Sequence, residues 1–123
     1  MDSKPAWRIM IVEDEPLLRD TLEQLLQFSG FTVFTAGNGK EALDKLAQND
    51  VDLVLSDIKM PVMDGVELLR HIRVSRPGLK VIFFSAFADI SHAEALQMGA
   101  LDLLSKPVRI ESLIETIRSN LSA

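Results

Sequence analysis

The sequence has no cysteine, so neither a disulfide framework nor a thiolate metal site is available to it. That suits a reducing compartment, and a cytoplasmic location is expected. No apolar run approaches the ~20 residues that a bilayer span needs, so no membrane association is expected. Met1 to Ala6 lacks the basic region and apolar stretch of a signal peptide. Basic charge is scarce too: 13 Lys and Arg stand against 18 Asp and Glu, a net charge of −5. Nucleic-acid binding usually leaves a basic footprint, so direct nucleic-acid contact is not expected. Runs of five like charges, low-complexity tracts and repeats of solenoid period are also missing. With 123 residues, 47% of them apolar, the chain can bury a proper core as one domain. That domain is expected over 7–123, after a short tail over 1–6.

What is present is alternation. Apolar, β-branched or aromatic runs predict strands at roughly 7–12, 31–35, 52–56, 80–84 and 101–104. Segments of helical period lie between and after them, at roughly 15–28, 39–47, 64–74, 89–98 and 110–121. In the first helix Leu18, Leu22, Leu25 and Leu26 share a face, with Arg19, Asp20 and Glu23 off it. Gly30 fits the stop signal of that helix. Strict alternation predicts an α/β fold, a doubly wound parallel sheet with helices on both faces. The first, third and fourth strands are nearly continuous apolar runs, as central parallel strands should be. Phe31 to Thr35 mixes in threonine, and the short fifth strand carries Asp102, so both suit edges. Right-handed crossovers then favour a five-stranded flavodoxin-like sandwich of order 2-1-3-4-5, whose ligands bind beyond the carboxyl ends of the strands.

The groups that end those runs are chemically matched. Glu13 and Asp14 follow the first strand, Asp57 the third, Ser85 the fourth and Lys106 the fifth. Carboxylates converging on one spot repel unless a cation sits among them, and oxygen-only ligands suit Mg2+. Lysine offers a compact charge to a phosphoryl oxygen. A carboxylate can also attack phosphorus to form an aspartyl-phosphate, and Asp57, central in the set, is the chosen nucleophile. Taken singly, each group has a plainer reading: Glu13 to Pro16 as a helix cap, Asp57 as a turn residue, Ser85 as a loop hydroxyl, Lys106 as a surface lysine. Four strand ends suited to one chemistry outweigh those readings.

Several blocks carry a resemblance. Ile11-Val12-Glu13-Asp14-Glu15-Pro16, Ser56-Asp57-Ile58-Lys59-Met60-Pro61-Val62-Met63-Asp64-Gly65, Ser85-Ala86 and Lys106-Pro107 resemble the signature blocks of response-regulator receiver domains, in order and with similar spacing. The resemblance implies that Asp57 is the phosphoacceptor, charged from a histidine of a sensor kinase or phosphotransfer protein. It implies Mg2+, with Mn2+ as a substitute, held by Asp14, Asp57 and the backbone carbonyl of Lys59, with Glu13 acting through water. It assigns the phosphoryl oxygens to Ser85, Ala86 and Lys106, a cis bond to Lys106-Pro107, and close packing to Gly65. The implied output surface is the fourth helix, fifth strand and fifth helix, where an output domain or a second copy would dock; a phosphatase is a further implied partner.

Departures matter as much. Glu13 stands for the commoner aspartate and Ser85 for threonine. Leu103 occupies a position where many receivers carry a switching aromatic beside the hydroxyl of Ser85, and Val108 one that is often phenylalanine. Lys59 and Phe87, two residues past Asp57 and Ser85, are expected to look onto the phosphoryl group, with Phe87 hindering in-line water. Rival readings are a receiver fold that binds partners without phosphorylation, an aspartyl-phosphate phosphohydrolase and a flavin carrier. Lys59, where such a hydrolase needs a second acid, speaks against the hydrolase, and Glu13-Asp14-Glu15 would repel a flavin phosphate. His71 and His92 read as solvated helix residues, Trp7 as packing under the tail, and Met60, Met63 and Met98 as packing or partner contacts. Gly37-Asn38-Gly39 reads as a turn into the second helix, lacking the Lys and Ser or Thr of a phosphate loop.

Overall fold

The computed structural model describes residues 6–86 and 90–121. Among these, strands β1 (Arg8–Val12), β2 (Thr32–Ala36), β3 (Leu53–Asp57), β4 (Lys80–Ser85) and β5 (Asp102–Ser105) alternate with helices α1 (Pro16–Phe28), α2 (Gly39–Leu46), α3 (Gly65–Ser75), α4 (His92–Met98) and α5 (Ile110–Leu121). The strands form one parallel sheet in the order β2-β1-β3-β4-β5, as the apolar patterning predicted. No helix among the described residues is long and apolar enough to cross a membrane.

Period-two alternation along the strands feeds two cores. Met10, Val12, Val54, Val81 and Phe83 pack with Leu46, Leu68, Leu69, Ile72 and Ala95, on the face covered by α2, α3 and α4. Ile9, Ile11, Leu53, Leu55, Ile82 and Phe84 pack with Leu22, Leu26, Leu113, Ile117 and Leu121 on the face of α1 and α5. Each fully buried aliphatic or aromatic side chain contributes roughly 1.5–3 kcal/mol, so both faces of the three central strands are committed to the core. Only the strand ends remain for chemistry.

Local signals set the helix ends. Pro16 opens α1, where a missing N–H costs nothing. Gly30, at φ 101°, closes it: Gly30 N–H donates to the Gln27 carbonyl and Phe31 N–H to the Leu26 carbonyl. Helix α4 begins at His92 rather than near 89, because Ser91 and Glu94 form a reciprocal capping box that fixes the first turn. His92 is not merely solvated: its Nε2 lies 2.8 Å from Asp102 Oδ1, linking α4 to β5. His71 is exposed. Met60 and Met63 pack against the core, whereas Met98 keeps about a third of its surface exposed, at 36%. Trp7 is 42% exposed, and residues 1–5 of the tail expected to cover it lie outside the described residues.

Candidate functional site

Parallel strands of matched register bring their carboxyl ends to one edge. Val12 pairs with Ser56, Asp57 with Phe84, and Ser85 with Ser105. Asp57 and Ser85 are thus the last residues of β3 and β4, while Glu13 and Lys106 directly follow β1 and β5. Each of Glu13, Asp14 and Asp57 offers a carboxylate oxygen within 4.8 Å of the others.

Burial differs sharply within this acid set. Glu13 is 1% exposed and Asp57 7%, whereas Asp14 is exposed. Asp14 lines an open cleft of about 460 Å³ with Lys59, Met60, Pro61 and Asp64. Lys106 joins the two buried acids: its Nζ is 2.8 Å from Glu13 Oε1 and 2.9 Å from Asp57 Oδ2. The ammonium also lies 4.9 Å from the Phe84 ring centroid, so an aromatic face adds to its electrostatic seat.

The remaining polar atoms of the acids are fixed as well. Asp57 Oδ1 accepts the Ile58 N–H at 2.7 Å. Glu13 Oε2 accepts the Glu15 N–H at 2.9 Å. The Glu13 carbonyl accepts from Arg19 Nη1 at 2.9 Å. Burial pushes the Glu13 carboxyl above its ordinary value; bonds from Lys106 and the Glu15 N–H oppose that, and the Asp57 charge reinforces it. Burial alone would lower the Lys106 ammonium, but its bonds and charge contacts with Glu13 and Asp57 outweigh burial and hold it above the usual lysine value. Two buried carboxylates and one ammonium leave the site with surplus negative charge even before Asp14 is counted. An oxygen-rich set of that charge fits a hard divalent cation such as Mg2+.

The capping reading of Glu13 to Pro16 accounts for little, since Glu15 at the N-cap makes no side-chain cap bond. Ser85 is buried, and its carbonyl accepts the Lys106 N–H at 2.9 Å, which fixes the two strand ends against each other. Ala86 is exposed beside it. The Lys106–Pro107 peptide is cis. Lys59 is exposed next to the cleft, and Phe87 lies outside the described residues. Leu103, opposite Phe83, is partly buried on the α4 side of the sheet.

Gly65 has a sharper role than close packing in general. A Cβ there would stand 2.2 Å from the Asp57 carbonyl oxygen. Its N–H donates to the Ile58 carbonyl at 2.7 Å, which folds the chain after β3 back on itself. Between them, Met63 N–H donates to the Pro61 carbonyl across Val62, whose φ is 73°. That bond and angle belong to the strained γ-turn, a rare place for a β-branched residue. Arg19 was not among the predicted site residues; its position off the apolar face of α1 was the only trace of its contact with Glu13.

The profile of the family described as "Response regulator receiver domain" matches residues 9–118. The chain is 39% identical over 115 residues to the DNA-binding transcriptional regulator NtrC of Escherichia coli K12, covering 93% of this chain and 24% of that protein. It is 37% identical over 113 residues to the response regulator MprA of Mycobacterium sp. strain KMS, covering 91% of this chain and 49% of that one. Among solved structures it resembles a CheY-like receiver domain from Methanospirillum hungatei JF-1, with a TM-score of 0.89, 36% identity and 94% of both chains covered. It likewise resembles TrrA of Thermotoga maritima in complex with Mg2+–BeF, with a TM-score of 0.84, 33% identity, and 92% of this chain and 97% of that one covered. The chain therefore spans at most about half the length of these two full-length relatives. With a family profile running from β1 into α5, it belongs to the receiver domains of two-component response regulators.

Proposed function

We propose that the chain is a phospho-acceptor switch in which Asp57 takes a phosphoryl group from a histidine of a sensor kinase or phosphotransfer protein. The observation that carries this reading is Lys106, whose ammonium joins Asp57 to Glu13 at 2.9 and 2.8 Å at the carboxyl edge of the sheet. In the reaction a carboxylate oxygen of Asp57 forms a bond to phosphorus while the phosphorus–nitrogen bond of the donor breaks in line. The leaving imidazole keeps the electron pair of that bond and takes a proton from solvent. Lys106 then turns its charge from the carboxylates to the phosphoryl oxygens, aided by the Ser85 hydroxyl and the Ala86 N–H.

Asp14, Asp57 and the Lys59 carbonyl would hold Mg2+, with Mn2+ as a substitute, and Glu13 would support it through water. Bound there, the ion neutralises charge on the phosphoryl group and on the acid set. The domain assists its own phosphorylation and its loss but does not turn over a substrate. Phe87 is proposed to hinder in-line water and so slow hydrolysis of the acyl phosphate, and Lys59 to modulate the site from beside the phosphoryl group. Added charge at the sheet edge shifts a pre-existing equilibrium outward to α4, β5 and α5, where an output domain or second copy docks. With Leu103 in place of an aromatic, that transmission relies on repacking of an aliphatic side chain. A cytoplasmic setting accords with these partners.

Incubating wild type and Asp57→Ala with acetyl phosphate and Mg2+ tests the reading by intact mass. A gain of one phosphoryl group in wild type alone supports it. No gain in wild type moves the assignment to a binding module that works without phosphorylation.

A further inference from the structure

The Gly37-Asn38-Gly39 turn between β2 and α2 commits its Asn38 carboxamide to a helix cap, yet it lies between the loop that carries Glu13 and Asp14 and the loop after β3. On one side, the Glu13 N–H donates to the Ala36 carbonyl at 3.0 Å, just before the turn. A Cβ on Gly37 would lie 3.2 Å from Nη1 of Arg19, the guanidinium that holds the Glu13 carbonyl. On the other side, the Gly39 N–H donates to the Met63 carbonyl at 3.0 Å. The turn itself is stiff: Asn38 Oδ1 accepts the Glu41 N–H at 2.9 Å, and Glu41 Oε1 accepts the Gly37 N–H at 2.7 Å.

Gly39 makes the approach close. A Cβ there would stand 2.8 Å from Met63 Cγ and 2.9 Å from the Met63 carbonyl oxygen. The thioether arm could swing away, but the carbonyl can retreat only if the loop after β3 moves. That loop also contains the positive φ of Val62, one residue before Met63. A strained backbone persists only where its surroundings over-determine it, and the bond from Gly39 is one such restraint.

We propose that this turn is a positioning element of the metal site, with Gly39 the residue through which it sets loop 58–64 against Asp14. The inference rests on the proposed function, because it concerns the loop whose Lys59 carbonyl is assigned to the ion. Mg2+ demands near-octahedral geometry at short range, so a shift of a few tenths of an ångström in one ligand loop weakens it. Substitution of groups that orient metal ligands commonly costs about 10- to 100-fold in affinity.

Mg2+ affinity by titration calorimetry, read beside the unfolding midpoint in chelator, separates positioning from plain stability. Gly39→Ala is expected to weaken Mg2+ binding about tenfold. Gly78→Ala, whose Cβ would meet nothing within 4 Å, should leave the affinity unchanged. Asn38→Ala removes the cap bond but no contact with the loop, and should produce a smaller loss. Wild-type affinity in Gly39→Ala, whatever its midpoint, overturns the proposal. If Gly39→Ala does not fold, unchanged affinity in Asn38→Ala overturns it. Absence of Mg2+ binding in wild type refutes the assigned site and this proposal together; binding in wild type with unaltered variants refutes the positioning role alone.

Discussion

Replacing Gly65 with alanine would place a Cβ 2.2 Å from the carbonyl oxygen of Asp57 and 3.0 Å from Ile58 Cα. Both neighbours are backbone, so no side-chain rotation relieves the contact. Opening it from 2.2 to 3.0 Å would strain or break the Gly65 N–H bond to the Ile58 carbonyl, now 2.7 Å. A lost hydrogen bond costs about 1 kcal/mol and overpacking of this kind about 1–3 kcal/mol. Alanine's helix propensity returns at most about 1 kcal/mol, and less at the first helical position. The clash therefore decides the sign, and a net loss of about 2 kcal/mol is expected. For a chain of 123 residues, unfolding entropy makes that a fall of about 8 °C in Tm. Gly78→Ala meets nothing within 4 Å and should gain about 0.4–1 kcal/mol by restricting the unfolded chain. Differential scanning calorimetry of both variants in chelator decides the matter. A Gly65→Ala midpoint at or above that of wild type would refute the close-approach argument, and with it the role of Gly65 in holding the Asp57 backbone.

Three further outcomes follow from the same geometry. Val62→Asn should stabilise the protein by about 1 kcal/mol, since asparagine tolerates positive φ where valine is strained; an unchanged urea midpoint would count against the γ-turn. Asp14→Asn should stabilise the metal-free protein by about 0.5–1 kcal/mol, because unit charges within 4.8 Å repel by roughly that much at water-like screening, partly offset by Lys106. Mg2+ should raise the Tm of wild type but not that of this variant; a rise in both would take Asp14 out of the proposed metal set. The Gly37 N–H holds the Glu41 carboxyl below its ordinary value, so its contribution is present above the unfolded value of about 4.3 and is lost as pH falls through the lower folded one. Glu41→Gln should flatten the stability slope across that acid window, and an unaltered slope in urea titrations would argue against the bond.

The sheet was legible because burial on two faces leaves a central parallel strand almost no freedom of composition. Ile9 to Val12, Leu53 to Leu55 and Val81 to Phe84 are buried, and the polar groups that interrupt those runs mark the strand ends where ligands collect. The Ser91–Glu94 capping pattern stands in the sequence, but periodicity alone places the start of α4 near 89; the box outweighs period as a start signal. Contacts set by how elements cross were not readable. Arg19 reaches the Glu13 carbonyl only because α1 packs back over β1, and Gly39 meets Met63 only because α2 and the loop after β3 share one side of the sheet. The burial of Glu13 against the exposure of Asp14 depends on which side of β1 each leaves the sheet, and neighbouring acids in sequence carry no sign of it.

The most direct test of the phospho-acceptor reading is to locate the modified atom. Protein phosphorylated with acetyl phosphate and Mg2+ is reduced with borohydride, which converts an aspartyl-phosphate to homoserine, and the peptides are sequenced by mass spectrometry. Homoserine is expected at position 57, dependent on Mg2+ and greatly reduced in Lys106→Ala. Homoserine at another aspartate, or no homoserine in protein that has gained a phosphoryl group, would contradict the phospho-acceptor reading.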